Sequence, residues 1–343
     1  AIVQIINADD EIIDSDGMAE RARVKGAVSE INTTCGKLLK MGNTHVLWYE
    51  PTFSTLHLAP LSVSEVLRAN LLTKTPVIAT SATLTVGNGF DAMARSIGFV
   101  VGSDADSESE DGDIDPANVQ MLDVGSPFDF ANQGVLYMPK HLPEPGRDGP
   151  SIEVLTELGE LIDAAGGRTL ALFSSWRGVE AADAHLRSVL KELPITIITQ
   201  KRGDAVGPLV ERFAKDETSI LLGTMSLWQG VDVPGNSCVL VAIDRIPFPR
   251  PDEPVMSARA SLADAAGGSG FMQVSLPRAA LLLAQGTGRL IRSVDDRGVV
   301  AILDSRIVTK RYGSVLLNSM PPLWRTSDGA VVRESLRRLN KEL

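Results

Sequence analysis

The sequence predicts an α/β fold, a parallel sheet flanked by helices on both faces, and three observations predict it. From about residue 150 onward, short continuous apolar runs alternate with amphipathic helical patterns. Those runs lack the polar–apolar alternation of a half-exposed strand, as expected of strands buried on both faces. Polar and glycine-rich segments stand at the ends of the runs, where open parallel sheets collect their ligands.

The elements follow in order. Residues 1–45 read as mainly helical. At "HVLWYE" (45–50) the pattern changes to short apolar runs. "LHLAP" (56–60) reads as a strand, "SVSEVLRANLL" (62–72) as a helix with Ser62 as cap, "TPVIAT" (75–80) as a buried strand, and "FDAMARSIGF" (90–99) as a helix. The Pro-punctuated stretch 124–146 reads as extended linker, with a domain boundary near residue 130. Beyond it, helices are expected at 151–165, 176–190 and 207–215. Strands are expected at "RTLALF" (168–173), "ITIIT" (195–199), "TSILLG" (218–223), "SCVLVAID" (237–244) and "GVVAILD" (298–304).

Composition narrows the function classes. No run approaches the ~18 apolar residues of a membrane span, and no signal-peptide pattern is visible, so a cytoplasmic, non-membrane protein is expected. Cys35 and Cys238 stand far apart, and the four histidines show no metal-ligand spacing, so no metal site is expected on this chain. The net charge is −10, but the run "DADSESEDGDID" (104–115) holds seven acids and no Lys or Arg. It reads as a solvated loop, and without it the charge is −3. A locally basic groove remains compatible with such a chain.

Four polar segments end the predicted strands: "LFSSWRG" (172–178), "ITQKRGD" (198–204), "GTMSLWQGVDVPG" (223–235) and "DRIPFPRPDEP" (244–254). A fifth segment, "LLLAQGTGRLIRS" (281–293), precedes the last strand. Read as one continuous helix, it sets Gln285, Arg289 and Arg292 on one arc, with Ala279, Ala280, Leu283, Leu290 and Ile291 opposite. Two aligned guanidiniums suit a phosphate. Gly286 and Gly288 cost helix stability unless something approaches the backbone closely. On this reading four loops and one basic helix converge on one sheet edge. Each feature has a plainer reading: surface arginines on an amphipathic helix, a Gly–Pro turn, a Ser174–Ser175 cap beside a core Trp176, and a core Trp228.

The order "TSATL", "LFSS", "TMSLWQGVDVPG", "QGTGRLIRS" resembles the later motifs of superfamily 2 helicases. "SPFDF", "IPFPRPDEP" and "GVVAILDSRI" resemble the DinG branch, relatives of the XPD helicases. The resemblance spans roughly residues 46–318, and its last motif is the most specific. It implies a RecA-like second helicase domain (131–343), the closing part of a first RecA-like domain with linker and acidic loop (46–130), and the end of an inserted helical domain (1–45). It also implies roles. Ser81 and Thr83 match coupling positions; Ser174, Ser175, Thr199, Thr224 and Ser226 match nucleic-acid positions; Gly230 and Asp232 lie near nucleotide. Gln285, Arg289 and Arg292 face the γ-phosphate, with Arg292 as arginine finger. Gln229 departs from the branch, which commonly has Glu there.

No GxxxxGK[ST] phosphate loop and no DEAH-like acidic box occurs. Those parts cradle phosphates and hold Mg²⁺. The resemblance therefore implies the C-terminal part of an ATP-dependent DNA helicase, 5′→3′ in polarity, monomeric, and inactive as this chain alone. ATP and Mg²⁺ would be bound mainly by an N-terminal half, and single-stranded DNA is the implied partner. An iron–sulfur cluster stays open. Two other readings stand beside it: a stand-alone nucleic-acid-binding module with no need of Arg292, and a phosphate-ester enzyme, which lacks a recognisable nucleophile or metal site.

Overall fold

The computed structural model describes residues 15–40, 42–81, 89–99, 119–228 and 237–341. The acidic run 104–115, Thr83, Gln229, Gly230, Asp232 and the side chain of Trp228 lie outside the described residues.

Seven parallel strands form the main sheet: β3 (Gly134–Tyr137), β4 (Thr169–Leu172), β5 (Thr196–Thr199), β6 (Ser219–Gly223), β7 (Leu240–Ile243), β8 (Gly298–Ile302) and β9 (Trp324–Thr326). Their order is β5-β6-β4-β7-β8-β3-β9. Alternate residues feed two cores. Leu170, Leu172, Val241, Ile243, Val300 and Ile302 pack with the helices Val206–Lys215 and Leu276–Thr287. Ala171, Phe173, Leu240, Ala242, Val299 and Ala301 pack with Ile152–Ala165, Trp176–Val189 and Gly329–Lys341. The expected parallel sheet covered on both faces is therefore present, and every residue of β4, β6, β7 and β8 is buried.

The helices start and stop for local reasons. Ser175 accepts the N–H of Gly178 at 3.1 Å and opens Trp176–Val189. Gly166, at φ 66°, closes Ile152–Ala165 with a left-handed residue that a side chain would strain.

Ahead of the sheet, Ser15–Leu39 is one helix, and β1 (His45–Glu50) pairs antiparallel with β2 (Thr55–Pro60). The next helix runs Ser64–Leu67 and widens into a π-turn at Arg68–Leu72. Arg259, on the helix Pro254–Ala265, donates its Nε–H to the carbonyl of Leu61 at 2.6 Å and ties this region to the sheet domain.

Three expectations need correction. "TPVIAT" is not a buried strand: residues 75–80 pair with nothing described, and Ile78 is 91% exposed. An apolar run becomes a parallel strand only where neighbours take up its backbone groups, and the described residues supply none. The stretch 124–146 is not all linker. It contains the helix Phe130–Gln133 and β3, which lies between β8 and β9. Pro127 and Pro139 flank these four strand residues and disguise them. The third concerns the arginine helix, described next.

Candidate nucleic-acid cleft and arginine loop

The chain leaves β4 toward β5 on one side, returns to β6 between them, then crosses to β7 on the other side of β4. The carboxyl ends of β4 and β7 thus flank a topological switch point, where a crevice forms. A cleft of about 520 Å³ lies there.

Its floor is held by three polar residues that end strands. Asp244 follows β7 and is buried. Its carboxylate accepts the N–H of Ser174 at 3.0 Å, the hydroxyl of Ser174 at 3.4 Å and Nε–H of Arg245 at 3.1 Å. Burial pushes the Asp244 carboxyl up to about 6, against the pull of Arg245 and of the Ser174 N–H. Gln200 follows β5 and is likewise buried. It accepts the N–H of Thr224 at 2.9 Å and donates to the hydroxyl of Ser226 at 2.6 Å. Asp304 follows β8, fully buried, accepts the N–H of Ile246 at 2.9 Å and pairs with Arg306 at 2.7 Å. Neighbouring loops are thereby fixed to each other.

The walls carry charge and aromatic surface. Among the described residues, Arg177, Arg202, Arg250 and Arg278 line the cleft against one acid, Glu253. Arg177 and Arg250 make exposed pairs with Asp148 at 3.5 Å and Asp252 at 3.4 Å, and such pairs dissociate at little cost. Arg202 lies 5.8 Å from the centre of the Trp176 ring. Phe248 packs edge-on against Tyr312 and lies beneath Arg306 at 5.7 Å. A basic groove with aromatic faces is suited to single-stranded nucleic acid, whose bases stack without sequence preference.

Of the residues expected at nucleic acid, Ser174, Ser175 and Thr224 line this cleft. Thr199 and Ser226 do not. The hydroxyl of Thr199 donates to Asp183, and that of Ser226 is taken by Gln200. Ser81 lies at the end of the exposed stretch that follows the π-turn.

The arginines stand elsewhere. The helix ends at Thr287, so Arg289 and Arg292 are not on a helical arc with Gln285. Gly288 is its C-cap, and Thr287 turns its hydroxyl back onto the carbonyl of Leu283 at 2.8 Å. The chain then forms a loop in which the carboxylate of Asp296 accepts the N–H groups of Arg292 (2.7 Å) and Ser293 (2.8 Å). This loop leads into the first residue of β8 and therefore lies at the amino edge of the sheet. The expected convergence on one edge holds for the four strand-end loops and fails for the arginines. The helix Leu276–Thr287 joins the two places: Arg278 and Leu282 face the cleft at one end, and Gln285 precedes the arginine loop at the other. At 1.5 Å per residue it spans about 18 Å.

Arg289 and Arg292 are half-buried, and burial pushes both guanidiniums below their ordinary values; Asp296 opposes the shift at Arg292. Desolvated guanidiniums are strong partners for phosphate. Oε1 of Gln285 is buried with no hydrogen bond from the described residues and can accept one from a water or hydroxyl placed beside it. Among the described residues no cluster of three or more His, Cys, Asp or Glu side chains could hold a metal. No helix described is long and apolar enough to cross a membrane.

Sequence reasoning missed Gln200, Asp244, Asp304 and Arg278. The first three share a signal in the sequence, a polar residue within two positions of a strand's carboxyl end.

Comparison with known proteins bears on the family and the fold. Residues 158–323 match the family described as helicase C-terminal domain. The ATP-dependent helicase DinG of Mycobacterium tuberculosis (strain ATCC 25177 / H37Ra) is 48% identical over 328 residues, 92% of this chain and 47% of the relative. The ATP-dependent DNA helicase YoaA of Haemophilus influenzae is 35% identical over 303 residues, 85% of this chain and 43% of the relative. The chain thus spans about half the length of the curated relatives it matches. A solved XPD helicase superposes over 93% of this chain and 57% of its own, with TM-score 0.54 and 15% identity, which shows the shared RecA-like fold. With residues 158–323 matched to a helicase C-terminal domain, 48% identity to a DinG helicase over 92% of its length and a RecA-like fold shared with XPD, the chain carries a helicase C-terminal domain of the DinG type.

Proposed function

We propose that the protein is an ATP-dependent DNA helicase in which this chain supplies the second RecA-like domain, residues 131–343. Residues 46–130 close the first such domain, and residues 1–45 end an inserted helical one. One observation carries the reading: a single helix has the basic, aromatic cleft at one end and two desolvated arginines at the other. Hydrolysis and strand movement have to be linked, and Leu276–Thr287 provides a physical connection between their sites.

In this function Arg177, Arg202 and Arg278 contact the phosphates of single-stranded DNA, and Trp176 and Phe248 offer surfaces to its bases. Ser174, Ser175 and Thr224 contribute short polar contacts on the floor. Arg289 and Arg292 face the γ-phosphate of ATP, with Arg292 as the finger that offsets charge developing in the transition state. Gln285 accepts from the attacking water. Gly230 and Asp232 lie near the nucleotide, and Ser81 and Thr83 belong to the coupling segment. Mg²⁺ and the phosphate loop come from the portion of the relatives that this chain does not cover. Movement is 5′→3′ along the strand, and the protein works as a cytoplasmic monomer.

The test uses the longer protein that contains this sequence. ATP turnover should rise with single-stranded DNA and fall by about 10³-fold or more in Arg292→Ala, with DNA binding preserved. The chain alone should not turn over ATP. Duplexes with a 5′ overhang should be unwound and those with a 3′ overhang left intact. DNA binding with no ATP turnover in the longer protein would instead favour a binding module.

A further inference from the structure

We infer that Gln133, acting with Asp296, is a positioning residue for the arginine loop. Gln133 ends the helix Phe130–Gln133, directly before β3, and is 4% exposed. Its side-chain Nε2 donates toward three carbonyls of one loop, those of Ser293 (2.9 Å), Val294 (3.1 Å) and Asp296 (3.2 Å). These bonds cross some 160 residues of sequence. From the other side, the Asp296 carboxylate gathers the N–H groups of Arg292 and Ser293. Residues 292–296 are therefore held from within by one amide and closed on themselves by one carboxylate.

An apolar peg completes the clamp. Gly134 and Gly298 are paired first residues of β3 and β8. A Cβ on Gly298 would lie 2.6 Å from the side chain of Leu290, and one on Gly134 would lie 3.6 Å from it. Leu290 is buried against this glycine pair, one residue after Arg289. A buried glutamine is costly unless bonded. This loop, though exposed at residues 293–295, turns the carbonyls of Ser293, Val294 and Asp296 inward to it, with Arg297 holding the latter two as well. Each need meets the other here, and the result fixes the backbone on which Arg292 is carried. Reaction geometry tolerates about an ångström of error poorly, so a long side chain needs an ordered base.

The inference rests on the proposed role of Arg292. Its test compares the longer protein with Gln133→Leu, Gln133→Glu, Asp296→Ala and the Gln133→Leu/Asp296→Ala double variant. ATPase kcat and KM, single-stranded DNA affinity and the thermal midpoint are measured. Each single variant should lose at least tenfold in kcat, with KM and DNA affinity within threefold. The double variant should lose less than the product of the singles, because both act through one loop. A kcat within twofold of wild type in the folded Gln133 variants overturns the inference. If those variants fail to fold, Asp296→Ala decides, and an unchanged kcat there overturns it. A wild-type protein that does not hydrolyse ATP overturns the helicase reading and this inference together, whereas active wild type with unaffected variants overturns this inference alone.

Discussion

Asp244 accepts the backbone N–H of Ser174 at 3.0 Å, which joins the carboxyl ends of β7 and β4 beneath the cleft. The carboxylate also holds Arg245, and Arg245 reaches the carbonyl of Gly146 at 3.0 Å. One buried acid thus sets the positions of two loops.

Its titration gives the first prediction. Burial raises the folded Asp244 carboxyl to about 6, above an unfolded value of about 3.9. The native state then holds the proton more tightly. The stabilisation from this group is complete below about pH 4 and is lost as pH rises through 6. In Asp244→Asn this fall should disappear, which urea unfolding at a series of pH values will show. An unaltered pH slope in the variant would assign it to another group.

Cleft residues should divide by mechanism. Arg278→Ala should weaken single-stranded DNA binding and reduce the salt slope by about 0.7, the value for one phosphate contact. Trp176→Ala should cost about 1–3 kcal/mol of binding and leave the slope alone. Equal slopes in wild type and Arg278→Ala, from binding isotherms at several salt concentrations, would remove Arg278 from the interface.

Stability away from both sites depends on Glu157. It accepts from the Tyr137 hydroxyl at 2.7 Å and pairs with Arg333 at 3.1 Å, which fastens the helix Gly329–Lys341 to the sheet. The same arrangement, burial first and then Glu157, raises the Tyr137 phenol above its ordinary value. Glu157→Ala leaves the buried Tyr137 hydroxyl without its acceptor, while Arg333 keeps its second partner Glu160 at 3.0 Å, and should cost about 1–3 kcal/mol in chemical denaturation. Arg338→Ala breaks an exposed pair with Glu334 and should cost under about 0.5 kcal/mol. Comparable losses in the two would contradict the burial argument.

The glycine pair makes a fourth prediction. A methyl group at Gly298 would meet the Val239 carbonyl at 2.4 Å and Leu290 at 2.6 Å. Gly298→Ala should therefore destabilise by about 1–3 kcal/mol, read as a lowered denaturation midpoint, while Gly207→Ala, with nothing within 4 Å, should not destabilise.

What the sequence disclosed follows from its physics. β4, β6, β7 and β8 were legible because strands buried on both faces need unbroken apolar runs, and "LALF" or "VLVAI" can do little else. The cleft was half legible: Ser174, Ser175 and Thr224 stand at strand ends, whereas Arg278 and Leu282 reach it from a helix far along the chain. Thr199 follows the same strand-end logic, yet its hydroxyl is taken by Asp183. Periodicity extended the arginine helix past Thr287 because Leu290 and Ile291 keep the apolar rhythm. Nothing local shows that they pack as loop residues, or that Asp296 captures the next N–H groups. Gln133 was invisible for the same reason, since the carbonyls its side chain holds lie some 160 residues away.

Ala279, Ala280 and Leu283 have no exposed surface, so the helix between cleft and arginine loop is embedded along its inner side. It behaves as a rod cast into a block. The spacing between the cleft and the arginine loop is therefore set by the packing of the sheet domain itself. On the proposed function, the step would come from the swing of this whole block against whatever faces it, as a pawl turns against a ratchet without changing its own shape.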